Sequence, residues 1–200
     1  MNTLLKNMML ALLSLGIVQA VWADDVPDLQ KTLQSARQGN AAAQFNLGLM
    51  YDKGQGGVRQ DHAEAFKWYS QAAKQGFVLA QYNLGVMYDR GLGVRKDYAQ
   101  AVKWYRQAAQ QGFAQAQYNL GVMYYDGLGV RKDYSQAAKW MRQTAQQGNA
   151  RAQYNLGVMY EEGQGVPKNR KVAKEWHKKA CANGFQDGCN DYRQLNNEGH

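Results

Sequence analysis

Two cysteines, three histidines and a few helix-borne hydroxyls are the residues of this chain that could do covalent or metal chemistry. Cys181 and Cys189 stand eight apart, and His177 lies four residues before the first of them. Two thiolates and an imidazole suit zinc, but no fourth ligand is evident, and a packing role suffices for His177. In an exported chain the same two cysteines would instead be bridged. Acyl transfer needs a nucleophile and a positioned base. Ser70, Ser135 and Thr144 are the hydroxyl candidates; none has Lys three residues on, as an S-x-x-K nucleophile requires, and Ser70 has Lys74 at four. His62 falls beside a helix cap and His200 at the terminus, so the imidazoles are scattered. The recurrent Gly-x-Gly pairs follow no strand and read as turn devices, not phosphate cradles. These residues imply no catalytic constellation, no cofactor and no metal.

What surrounds them is a repeat. AQYNLGVMY occupies residues 80–88, 116–124 and 152–160, and AQFNLGLMY occupies 43–51. Trp68, Trp104, Trp140 and Trp176 keep the same 36-residue step, and Gly57 is one inserted loop residue in the first unit. A period of this length signals stacked helical units. Ala80, Leu84 and Tyr88 recur at i, i+4 and i+8 and predict a helix over about 81–90, closed by Gly91. Asp97 with Gln100 three residues on reads as a capping box, repeated by Asp61 with Glu64 and Asp133 with Gln136; Asn169 takes the cap in the fourth unit. A second helix over about 98–111 buries Ala101, Trp104, Tyr105, Ala108 and Ala109. Gly85, Gly121 and Gly157 sit inside the first helices, where Gly costs about 1 kcal/mol against Ala. Close approach of a Trp or Tyr from the partner helix would account for them.

The expected organisation is all-α: a leader over 1–23, an N-terminal capping helix within 24–42, units over 43–79, 80–115, 116–151 and 152–187, and a capping helix and tail over 188–200. The leader has Lys6, an apolar run from Met8 to Val18, and Ala23 before two acids, the pattern of a secretory signal. Its run is short for a membrane span. The expected location is therefore outside the cytoplasm, periplasmic or secreted, with no integral membrane segment once the leader is cut. The net charge is +8. Much of the positive charge falls in the loops within units, at Arg59, Arg95, Lys96, Arg131, Lys132 and Lys168, an edge that could touch acidic surfaces weakly. No nucleic-acid module is present.

The pattern A-x-x-x-L-G-x-x-Y…G-x-G-V…D…A-x-x-W-Y…A-A…G resembles the Sel1-like repeat, a relative of the tetratricopeptide repeat. The resemblance implies a right-handed α-solenoid and a scaffold or adaptor that holds a protein or peptide, often in envelope assembly or host contact. By similarity to tetratricopeptide arrays, the groove would carry Phe45, Tyr82, Tyr118 and Tyr154 as one ladder and Leu49, Val86, Val122 and Val158 as a second. Asp52, Asp89, Tyr125 and Glu161 make a third, and Lys53, Arg90, Asp126 and Glu162 a fourth, so the groove turns acidic toward its C-terminal half. The alternative for the aromatic ladder is packing between units alone. The stretch KKACANGFQDGC resembles the cysteine-rich branch of the family, where such pairs join adjacent helices, although the other units here lack the pair. That branch also implies the alternative function, an enzyme acting on β-lactams or the cell wall.

Overall fold

The computed structural model describes residues 28–198; the expected leader lies outside the described residues. Ten helices follow one another, and no strand occurs among the described residues: α1 (Leu29–Arg37), α2 (Ala41–Lys53), α3 (His62–Lys74), α4 (Val78–Arg90), α5 (Tyr98–Gln110), α6 (Ala114–Asp126), α7 (Tyr134–Gln146), α8 (Ala150–Glu162), α9 (Arg170–Ala182) and α10 (Gln186–Glu198). Helices α2 to α9 form four hairpins, flanked by α1 and α10, and each helix packs on its neighbours in sequence. That connectivity makes an all-α repeat solenoid, stabilised between nearest neighbours.

The capping signals operate only in part as the sequence suggests. The Oδ1 atoms of Asp97, Asp133 and Asn169 accept hydrogen bonds from the backbone three residues on, at 3.0 Å each. The reciprocal half of a capping box is not made, because the cap's own N–H is taken. Asp61, Asp97, Asp133 and Asn169 donate it to the carbonyls of Tyr51, Tyr88, Tyr124 and Tyr160 at 2.8–2.9 Å. This bond closes the loop onto the last turn of the preceding helix. Gly54, Gly91, Gly127 and Gly163 stop the first helices at φ between 66° and 76°, where Gly alone is unstrained. The first helices start about three residues earlier than their apolar stripe suggests. Phe77 and Phe113 hold the cap backbone without a side-chain bond, and their rings pack on the ladder.

The core between helices is made of alanine and a few large side chains. Ala65, Ala72, Ala80, Ala101, Ala108, Ala116 and Ala152 are fully buried, as are Leu47, Leu120 and Tyr105. Small residues let the backbones approach. The helical glycines show how closely, and the partner is not Trp. A Cβ at Gly48 would lie 2.6 Å from the Tyr69 ring, and one at Gly85 would overlap Tyr105. Trp104, Trp140 and Trp176 are half-buried, with Lys103, Lys139 and Lys179 over their rings at 4.3–5.9 Å.

A polar ladder that sequence reading missed runs between units. Gln44, Gln81, Gln117 and Gln153, the second letter of each repeated phrase, are buried. Their amides donate to the carbonyls of Ala36, Ala73, Ala109 and Ala145 at 3.0–3.3 Å. Their Oε1 atoms accept from Gln75, Gln111, Gln147 and Asn183 at 2.7–2.9 Å. Each Gln thus has both ends of its amide occupied, which makes its burial tolerable. At the C-terminal end, Cys181 of α9 and Cys189 of α10 are joined by a disulfide, so neither is available as a thiolate ligand.

Candidate partner-binding face

On the first helices α2, α4, α6 and α8, the expected groove residues Phe45, Leu49, Tyr82, Val86, Asp89, Tyr118, Val122, Tyr125, Tyr154, Val158 and Glu161 stand half-buried, whereas Lys53, Arg90, Asp126 and Glu162 of the fourth ladder are exposed. Their aromatic ladder is also a packing device in three units. Phe45 lies against Tyr69 and Phe77, Tyr82 against Tyr105 and Phe113, and Tyr154 against His177 and Phe185, with ring centroids 5.1–5.9 Å apart. Each ladder ring therefore sits between a ring from its own second helix and a ring from the turn that follows.

The third unit breaks this rule. The positions equivalent to Tyr105 and Phe113 are Met141 and Asn149. Tyr118 consequently lacks both ring partners, and its hydroxyl accepts a hydrogen bond from Asn155 Nδ2 of the next unit at 3.4 Å. Asn83 and Asn119 share the register of Asn155, but the hydroxyls of Tyr69 and Tyr105 are buried without a hydrogen-bond partner. Beside Tyr118 lies a depression of about 380 Å³ lined by Tyr118, Val122, Tyr125, Asp126, Tyr154 and Val158, with Met141, the residue that replaces the ring of the second helix, also in its lining. Its size is at the small end of ligand pockets, and its lining mixes apolar surface with hydroxyls.

The charge along the face is uneven. In the first unit Asp52 is paired with Lys53 at 3.4 Å and with His62 Nδ1 at 3.1 Å. In the second, Asp89 lies within electrostatic reach of Lys96. Around the depression the charges are carboxylates. Burial raises the Tyr125 hydroxyl above its ordinary value, and Glu162 and Asp126 raise it further. Burial likewise raises Tyr154, with Asp191, Asp187 and Glu161 adding to it. A phenolate there would meet negative charge, so both tyrosines stay neutral donors.

His177 is fully buried and replaces the buried Tyr of the first two units; its Nε2 lies 3.1 Å from Glu161 Oε2. Glu161, His177 and Asp191 have ligand atoms within 4.8 Å of one another, so they, and not His177 with the cysteines, are the set that could hold an ion. The acyl-transfer candidates do not assemble. Ser70 Oγ donates to the Phe66 carbonyl at 2.6 Å, Thr144 Oγ1 donates to the Ala114 carbonyl at 3.2 Å, and Ser135 is exposed. On the loop edge, Arg95, Lys96, Arg131 and Lys132 are exposed, with Lys96 and Lys132 over the rings of Tyr98 and Tyr134 at 4.5 and 5.6 Å. No helix among the described residues is long and apolar enough to cross a membrane.

Comparison with known proteins agrees with this architecture. A family model described as Sel1 repeat matches residues 41–77, 78–113, 114–149 and 150–185. A solved protective antigen present in uropathogenic Escherichia coli strains, displaying an SLR fold, is 42% identical with a TM-score of 0.81 over 86% of this chain and 36% of that one. A Sel1 repeat protein from Oxalobacter formigenes is 38% identical with a TM-score of 0.70 over 80% of this chain and 63% of that one. The chain thus spans 36% and 63% of the length of these two relatives. Cysteine rich protein B of Helicobacter pylori, 23% identical with a TM-score of 0.52 over 68% of this chain and 98% of that one, is alike in fold. A search of the curated proteins finds no match.

Proposed function

This chain belongs to the Sel1 repeat family, and from that premise we propose that it is an exported, non-enzymatic scaffold that holds a protein or peptide partner in a concave groove formed by its first helices. The observation that carries the reading is the half-buried ladder of Leu49, Val86, Val122 and Val158 beside the aromatic ladder, opening into the depression at Tyr118. Such a surface offers apolar anchor sites with hydroxyls alongside, as peptide-binding grooves do. Export rests on the leader pattern and is supported by the Cys181–Cys189 bond, which persists in oxidising compartments. The likeness to a protective antigen favours a role in envelope assembly or host contact.

The test uses the valines, because truncating the tyrosines would also remove ring packing. Val86→Asp, Val122→Asp and Val158→Asp together should leave the helical circular dichroism intact and remove partners captured by crosslinking from cells. An unchanged partner set with an intact fold would overturn the groove reading. The alternative class, a β-lactam-directed enzyme, would show turnover of a chromogenic β-lactam that is lost in Ser70→Ala. The scaffold reading expects neither turnover nor a covalent adduct.

A further inference from the structure

We propose that the depression between the third and fourth units is a side-chain subsite selective for arginine, receiving one guanidinium of a partner peptide bound along the first-helix face. The inference rests on the scaffold reading above and gives the partner a chemistry. Three observations combine. Met141 and Asn149 stand where the second unit has Tyr105 and Phe113, so Tyr118 is left unsandwiched, and it lines, with Met141, about 380 Å³ of open volume. Its lining combines three tyrosines, Tyr118, Tyr125 and Tyr154, with the apolar side chains of Val122, Met141 and Val158. Its charged surroundings are carboxylates, with Asp126 in the lining, Glu162 and Asp126 acting on Tyr125, and Asp191, Asp187 and Glu161 acting on Tyr154.

A purely apolar occupant would satisfy the apolar lining and leave Asp126 and Glu162 without a cationic partner, Glu161 being already held by His177 Nε2 at 3.1 Å. An acidic occupant would be repelled. A guanidinium fits both: its stem lies on apolar surface, its plane stacks on tyrosine rings, and its fork pairs with carboxylates. The N-terminal half of the same face does not offer this, since Asp52 is already paired with Lys53 and His62, and Asp89 has Lys96 nearby.

The test is a nuclear magnetic resonance titration of the protein with three small probes: the N-acetyl amides of arginine, of its neutral isostere citrulline, and of norleucine. Arginine should shift the signals of Val122, Met141 and Val158, and bind roughly tenfold or more tightly than either control, the size expected for one partly desolvated cation–π and charge pair. Asp126→Asn should weaken arginine and leave norleucine unchanged. The double variant Met141→Tyr with Asn149→Phe rebuilds the ring sandwich of the second unit opposite the retained Gly121, so it should fold normally and lose the arginine shifts. Citrulline binding as well as arginine, no shift with arginine, or arginine binding unchanged in the double variant would each overturn the proposal. Crosslinking from position 86, outside the depression, separates the two readings: adducts there with no arginine binding remove the subsite and leave the scaffold, whereas loss of both removes the scaffold as well.

Discussion

At the scale of single residues, the instructive positions are those where one repeat departs from the others. Gly85, Gly121 and Gly157 read in the sequence as close approaches of a Trp or Tyr; Gly85 does face Tyr105, as Gly48 faces Tyr69, but Gly121 faces Met141 and Gly157 faces His177. The sequence did not say which residue, because Trp stands directly before Tyr69, Tyr105, Met141 and His177 and only the helix phase separates the two positions. The four glycines should not be equivalent. Ala at Gly85 would meet a rigid ring, whereas the nearest atom to a Cβ at Gly121 is the Met141 terminal methyl at 3.1 Å. Overpacking against a fixed ring costs about 1–3 kcal/mol, while a thioether can swing and Ala regains up to about 1 kcal/mol of helix propensity. Gly85→Ala should therefore lower the urea midpoint clearly and Gly121→Ala should leave it nearly unchanged. Equal losses would mean that the glycines serve backbone flexibility instead. The depression itself was written at Met141 and Asn149, and reading the units column by column would have found it. Those letters were passed over because neither is a groove residue; they act by failing to fill space.

At the scale of elements, helix type and order were legible, since the period, the glycine stops and the Asp caps all point to the same hairpin. The inter-unit Gln ladder was not. A Gln inside an amphipathic helix gives no sign of being buried until the carbonyl eight residues back is known to face it. Its contribution can be measured. Gln117→Leu removes the partner of both the Ala109 carbonyl and the Gln147 amide. Leaving buried polar groups unpaired costs about 1–3 kcal/mol, so the variant should unfold at lower denaturant, and Gln117→Glu should not restore it, because a carboxylate cannot donate to the carbonyl. A destabilisation below about 0.5 kcal/mol would show that the surrounding structure relaxes. The disulfide belongs to the same scale. It closes a short loop between α9 and α10, worth roughly 2–3 kcal/mol on the loop-entropy account. Reduction, or Cys181→Ser with Cys189→Ser, should raise hydrogen exchange first in α10 and leave α2 to α5 protected, since each unit is supported by its neighbours. Uniform loss of protection along the chain would contradict nearest-neighbour stabilisation.

At the scale of the whole molecule, the face presented by the first helices serves two purposes. In three units its aromatic ladder seals the joint between a helix and its hairpin partner, and in the third that seal is opened beside an acidic rim. Function was less legible than fold for this reason: a Tyr repeated at the same position is the signature of packing, and only its surroundings show which copy lacks ring partners. The central claim is that this face, and not the basic loop edge or the tryptophan-bearing side, meets the partner. The most direct measurement is photo-crosslinking in living cells from a benzophenone amino acid placed singly at Val86, Val122 or Val158, against the same probe at Ala99, Arg131 or Lys139, which are exposed elsewhere. The account predicts a discrete adduct from the first set, strongest at Val122 and Val158, and none from the second. Adducts from Ala99, Arg131 or Lys139 with none from the valines would contradict it.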